Sequence, residues 1–274
     1  MREHIEFIQT QRLPWVSAGS SGFEGGRIKL LSSDPEDCSF SSVLHLPAGW
    51  SRQSRPLAVD EEIYVLDGDL EIGGVTYLDN AYGFLAAGAD ANALKALTDV
   101  SLLYFRSGQV SEELRTPVAA ARRSVGKIDL ASEDWDGGFE KLGLGALKTG
   151  ARMKILREDP FSAETTYISA SIAYRIGTAA ERHPIVQEFF LLSGELTGEL
   201  GVMQGGAYCF RPPMFKHGPY GSPTGAVVFF RGLGGKHETF WEDGPAFSFR
   251  PVHQPVLPER LKSIGGPFPR PPRY

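Results

Sequence analysis

Glu62-Ile63-Tyr64-Val65-Leu66-Asp67-Gly68-Asp69-Leu70 and Glu188-Phe189-Phe190-Leu191-Leu192-Ser193-Gly194-Glu195-Leu196 carry one pattern 126 residues apart. Each opens on an acid, runs through apolar residues rich in β-formers, and stops at a small or acidic residue followed by glycine. A short apolar run bounded in this way reads as a buried strand ending in a hairpin signal. The pattern has company on both sides. Ala81-Tyr82-Gly83-Phe84 returns as Ala207-Tyr208-Cys209-Phe210 at the same offset, and Arg27 to Pro35 returns as Arg152 to Pro160 with five of nine positions identical. Three matches nearly in register indicate a duplicated unit. Each copy closes on a further strand-like run, 101–106 and 227–231.

The chain has 274 residues, 42% of them hydrophobic and 22% charged, which fits globular units with real cores and excludes disorder of the whole. No run of 18 apolar residues exists, so no membrane helix is expected. The start, MREHIEFIQTQR, lacks the apolar segment of a secretory signal. A net charge of −5 argues against a nucleic-acid partner. Two cysteines, Cys38 and Cys209, are too few for a disulfide framework or a four-thiolate zinc site, and the expected compartment is cytoplasmic. The expected divisions are a first barrel over 1–112, a linker over 113–136 with a short helix within 111–122, a second barrel over 137–247, and a proline-rich tail over 248–274.

Two spaced motifs mark the second copy. Glu181-x-His183 is followed after three residues by Gln187 and after six more by Gly194; then come Gly206, five residues, Pro212-x-Met214, two residues and His217. In the first copy the same places hold Arg55, Leu57, Glu61 and Ala91. These spacings resemble the two motifs of the cupin family, in which His-x-His, a glutamate and a later histidine stand at those places. The chain as a whole resembles a bicupin over about 25–110 and 150–235, and its second copy resembles the zinc-binding cupin domain of anti-sigma factors and single-unit metalloenzyme cupins. An anti-sigma role itself is not expected, since no helical Cys/His-bearing segment precedes the barrels. The resemblance implies an all-β fold of two tandem double-stranded β-helix barrels, a homodimer, and one divalent ion (Fe, Zn, Mn or Ni, with Fe or Zn foremost) in the C-terminal barrel.

The residues themselves support that site. Residues 181 and 183 share one face of an extended strand, and 187 and 217 arrive from other strands. Imidazole suits Zn, Fe, Ni and Cu, and a carboxylate suits harder ions. Glu181, His183, Gln187 and His217 are therefore the candidate ligands, with Glu181 alternatively a general base. Gln187 and Glu188 cannot both point inward on a regular strand; spacing favours Gln187 and donor chemistry favours Glu188. Phe189 and Leu191 share the parity of Gln187, and Phe215 that of His217, which makes them candidate walls for a small organic substrate. In the first copy only Glu61 is left of the four positions, and an ion pair with Arg55 is expected there. His4, His45, His237 and His253 fall outside the motifs and read as structural, and the matched Tyr82 and Tyr208 read as packing.

Three functions follow as expectations. The first is a non-haem iron dioxygenase acting on a small chelating molecule. The second is a non-redox cyclase, isomerase, lyase or hydrolase that uses the ion as a Lewis acid. The third is a metal- or ligand-binding module without turnover.

Overall fold

The computed structural model describes residues 2–269 except 92, 132, 133, 136–138, 140, 146 and 147, with the backbone alone at 90 and 91. The chain forms two units that interleave in sequence: one comprises Met1–Arg2 and Leu13–Asp134, the other Glu3–Arg12 and Trp135–Tyr274. Both are built almost wholly from antiparallel strands, and the architecture is that of two double-stranded β-helix barrels.

The first unit has a seven-stranded sheet running Val125–Asp129, Ala81–Leu85, Glu61–Asp67, Val100–Arg106, Phe40–Leu46, Arg27–Ser33 and Val16–Ser17. A second sheet orders Ser51–Arg52, Leu94–Ala96, Leu70–Ile72 and Val75–Tyr77. Inward residues of both sheets, among them Ile63, Val65, Leu70, Leu94 and Tyr104, make one apolar core with Phe23. Alternation on the pleated strands puts those side chains on a common face.

In the second unit the main sheet orders Ile5–Gln9, Ala207–Arg211, Val186–Gly198, Ala226–Leu233, Thr165–Ser171 and Ala151–Glu158. The strand Ala179–Arg182 pairs with Phe240–Asp243, placing Glu181 opposite Trp241.

Three boundaries differ from those expected. Residues 3–12 fall in the second unit, because Ile5–Gln9 pairs antiparallel with Ala207–Arg211. The expected linker belongs to the first unit, because Val125–Asp129 pairs with Ala81–Leu85 and Arg123 makes a buried two-pronged bond to Asp60 at 3.0 and 2.6 Å. The short helix is Pro117–Arg123, capped by the Thr116 hydroxyl, which accepts from the Ala119 amide at 3.3 Å. Finally, the proline-rich segment is more than a tail. Val256 exchanges backbone hydrogen bonds with Glu6, Leu261 is buried, and the Arg12 guanidinium donates to the Pro267 carbonyl at 2.8 Å.

The glycines that end the repeated run do not close hairpins in both copies. Val186–Gly198 continues through Gly194 as one strand, with a register shift between Leu191 and Ser193. Gly194 has φ +83°, and a Cβ there would lie 2.0 Å from the Gly225 carbonyl oxygen; Gly68, at φ +86°, stands likewise 2.1 Å from that of Asp99. Glycine is needed for a bulge that bends the strand beside a neighbouring backbone.

The N-terminal strand carries Glu6 into the second unit, where its carboxylate makes a two-pronged pair with Arg211, both residues nearly fully buried. Burial alone would raise the Glu6 carboxyl, but the guanidinium outweighs it and holds the group at about 2 against an ordinary 4.5. With its folded value depressed, the Glu6 contribution to stability is complete above about pH 4.5 and is lost as the pH falls from there towards 2. Glu6→Ala leaves a buried guanidinium unpaired and is expected to cost about 3–5 kcal/mol at neutral pH. Thermal unfolding of wild type and variant should show that gap narrowing as the solution is acidified through this window.

Candidate metal centre

Glu181 and His217 face each other across two short segments. The Glu181 amide donates to the His217 carbonyl at 2.9 Å, and the His217 amide to the Glu181 carbonyl at 3.0 Å. His183 follows one strand period after Glu181, and its carbonyl accepts from the Met214 amide at 2.7 Å. The backbone thus brings the donors of both motifs together. His217 Nε2 lies 3.5 Å from one Glu181 carboxylate oxygen and His183 Nε2 lies 4.0 Å from the other. Donor atoms of all three residues fall within 4.8 Å of one another, and the two imidazole centroids are 5.3 Å apart.

Each ring is held from behind. His183 Nδ1 bonds the Glu238 carbonyl at 3.0 Å and His217 Nδ1 the Phe215 carbonyl at 2.9 Å. A carbonyl can only accept, so Nδ1 carries the proton and Nε2 offers its lone pair to the centre. Those two Nε2 atoms and Glu181 Oε2 are buried without a hydrogen-bond partner. Buried polar atoms left unpaired cost free energy, and three converging on one point fit a cation. Two bonds of about 2.1 Å span up to about 4.2 Å, which accommodates both carboxylate–imidazole separations. Burial lowers the His183 imidazole below its ordinary value and favours the neutral form that binds metal. Burial would raise the Glu181 carboxyl, but the neighbouring histidines and Arg211 turn the net shift downward, keeping it ionised.

Gln187 does face inward and Glu188 outward, which resolves the register. Glu188 sits in a separate buried cluster, accepting from the Tyr208 hydroxyl at 2.5 Å and from Arg231. Glu62 and Tyr82 repeat that bond in the first unit at 2.7 Å, so the matched tyrosines tie strands together. Of the expected fourth ligand, Gln187, the carbonyl oxygen accepts from Arg211 Nη1 at 2.6 Å. In the first unit Arg55 and Ala91 are cross-strand partners, as Glu181 and His217 are, so the spacing aligned the two copies correctly. Glu61 there pairs mainly with Arg52, at 3.0 and 2.6 Å, and more distantly with Arg55 at 3.5 Å.

A cavity of about 430 Å³ opens on Glu181 inside the second unit. Of the expected wall residues, Phe189 lines it, together with Tyr167, Phe230 and Trp241. Leu191 does not; it is fully buried in the core beside Cys209. Phe215 also stands elsewhere, its ring packed edge-on against His4 at 4.4 Å.

The sequence patterns single out neither Arg211 nor Tyr220, yet both line the cavity. A signal existed for Arg211: it shares strand parity with the buried Cys209. Glu6 had none, being 205 residues from Arg211. His237 was also passed over. It is buried with both ring nitrogens unpaired, 4.5 Å from the His183 ring, and burial drives its imidazole down to about 3.

The fold and this cluster define a double-stranded β-helix protein with two imidazoles and a carboxylate converging in one barrel. Residues 139–236 match the family model described as the ChrR cupin-like domain. A Nostoc punctiforme protein of proposed dioxygenase activity has a similar structure, with TM-score 0.75, 17% identity, and coverage of 89% of this chain and 92% of that one. Bacillus subtilis oxalate decarboxylase aligns with TM-score 0.53 at 13% identity over 87% of this chain and 78% of its own. Salicylate 1,2-dioxygenase from Pseudaminobacter salicylatoxidans aligns with TM-score 0.51 at 9% identity over 71% and 70%. No curated protein sequence matches significantly. The family match covers the second barrel, and the likeness to these solved structures shows the fold of the two barrels. No described helix is long and apolar enough to cross a membrane.

The purified chain should bind one divalent ion, counted by elemental mass spectrometry, and His183→Ala with His217→Ala should abolish it. An ion present at about 100 times its dissociation constant should stabilise the fold by about 2.7 kcal/mol, an increment that chelation removes and the double variant lacks.

Proposed function

We propose that the second barrel is the working half of a metal-dependent enzyme acting on a small organic molecule, and that its reaction is an oxygenation by non-haem iron. The observation that carries this reading is the trio of unpaired buried donors, Glu181 Oε2, His183 Nε2 and His217 Nε2, beside a largely apolar cavity. Two histidines and one carboxylate with coordination positions left open are the donor pattern of non-haem iron oxygenases. With the Gln187 oxygen bonded to Arg211, the motif would supply three donors rather than four, which favours open positions. The names of two structural neighbours, one of proposed dioxygenase activity and one a salicylate dioxygenase, agree with the reading.

An iron ion held by these residues would supply Lewis-acid activation of a substrate oxygen and the electrons for reaction with O₂. The chain's own residues do the rest. The backbone carbonyls of Glu238 and Phe215 fix the imidazole tautomers. Phe189, Phe230 and Trp241 give a water-poor wall against which a flat substrate is oriented. Arg211, gripped by Glu6 and Tyr220 and lying over the Phe189 ring at 4.8 Å, keeps the polar side of that wall rigid.

Iron(II)-loaded protein should consume O₂ in proportion to substrate loss when offered a panel of 1,3-diketones and catechols. His183→Ala should lower that rate by more than about 100-fold, a size typical of removing a required electrostatic element. Substrate conversion with zinc and without O₂ uptake would instead establish the Lewis-acid reading.

A further inference from the structure

The polar side of the cavity wall presents hydrogens. Four of the five N–H bonds of Arg211 are used: Nε and Nη2 bond Glu6, Nη2 also donates to the Tyr220 hydroxyl, and Nη1 donates to Gln187. Glu6 does not line the cavity and approaches the guanidinium from another side. The second Nη1 hydrogen has no oxygen acceptor among the described residues.

The bond from Arg211 also decides which end of Gln187 does what. Its oxygen accepts from Arg211, so its amide nitrogen is the end left to donate elsewhere, and Gln187 lines the cavity. Tyr167 lines the same cavity, and burial holds its hydroxyl well above the ordinary phenol value. It therefore keeps its proton and can donate it. Arg211 orients Gln187, and Arg211, Gln187 and Tyr167 line the same cavity.

The charges agree. Among the described lining residues Glu181 is the sole carboxylate against two cations, Arg175 and Arg211, the second of which is paired with Glu6 outside the lining. A divalent ion on Glu181 would leave that end net positive. The remainder of the lining is aromatic and aliphatic, and Tyr167 stacks on Phe230 with centroids 4.8 Å apart and planes 16° apart.

We infer that Arg211 Nη1, the Gln187 amide and the Tyr167 hydroxyl form an anion subsite beside the Glu181 cluster, and that the substrate is a small carboxylate on a flat apolar body. This deepens the enzyme reading and rests on it for the word substrate; the subsite itself is a property of the wall. A neutral amide of the same shape presents its own N–H groups to donors and carries no charge, so the wall discriminates against it.

The test is calorimetric titration of the full chain with benzoate and with its neutral counterpart benzamide, in metal-free and metal-loaded protein. Benzoate should bind at least about ten-fold more tightly than benzamide in both forms, since charge-assisted bonds are roughly twice as strong as neutral ones. Gln187→Glu keeps an acceptor for Arg211, removes the amide hydrogens and adds a negative charge, so it should erase the preference. Tyr167→Phe, which removes one hydroxyl from a packed ring, should weaken benzoate severalfold and leave benzamide unchanged. Thermal midpoints of both variants report that the barrel is folded. Equal affinities, no binding of either probe, or a preference that survives Gln187→Glu would overturn the subsite. A preference seen only with metal present would also overturn it, since the ion alone would then hold the anion. Wild-type protein that binds no metal but still prefers benzoate would defeat the enzyme reading and leave the subsite intact.

Discussion

A guanidinium sealed inside a β-barrel must find a carboxylate, and the second unit takes its carboxylate from the other end of the chain. Arg211 is 2% exposed, and an unpaired charge at that depth would cost several kcal/mol. Glu6 supplies the counter-charge, and it can do so because Ile5–Gln9 is hydrogen-bonded alongside Ala207–Arg211, with Glu6 opposite Cys209. The Glu6 backbone is gripped in turn by Val256. One ion pair thus accounts for why an N-terminal strand and a proline-rich C-terminal segment both belong to the unit built by residues 135 onward. The same pair fixes the guanidinium plane, and that plane determines what Gln187 can offer.

The two copies diverge at matched places, and the divergence follows physical sense. Leu57 stands where His183 stands, and Leu85 where Arg211 stands. Without the guanidinium no buried carboxylate partner is needed, and by strand register Gly126 occupies the place matching Glu6. Glu61, which matches Gln187, keeps a negative charge and is satisfied by Arg52 instead. The interior of the first unit is correspondingly apolar, filled by residues such as Ile63 and Leu94. Of the two barrels, the second keeps donors beside an open volume.

What the sequence reveals of this arrangement is what local pattern can carry. The repeat, the β class and the convergence of Glu181, His183 and His217 are all expressed in spacing, because strand period and motif length determine which side chains share a face. Gln187 against Glu188 is a matter of register: Gln187 lines the cavity, while Glu188 bonds Tyr208 and Arg231. Its chemistry was not legible, since the group that captures its oxygen lies on a neighbouring strand 24 residues later. Glu6 is further still from any motif. The bend at Gly194 was read as a reversal because a small residue followed by glycine signals both a hairpin and a bulge. Phe215 shares parity with His217, yet the segment there is a turn rather than a regular strand, so parity did not place it.

Removing Gln187 from the donor set leaves the charge of the centre unchanged, because an amide contributes none. Glu181 alone provides −1, and the histidines are neutral when they bind a metal. A divalent ion at this position would therefore keep a net charge of +1 whether or not the glutamine took part. What changes is the number of open positions and the direction of the amide. An oxygen turned toward an ion would have helped to close the shell; the same oxygen turned toward Arg211 frees positions on the ion and swings the amide hydrogens toward the cavity. A metal-loaded centre and a donor-rich wall would then act on the same space, and both would favour an electron-rich oxygen on the molecule that enters. The Glu6–Arg211 pair, which has no contact with that molecule's apolar body, sets the polarity that the molecule meets.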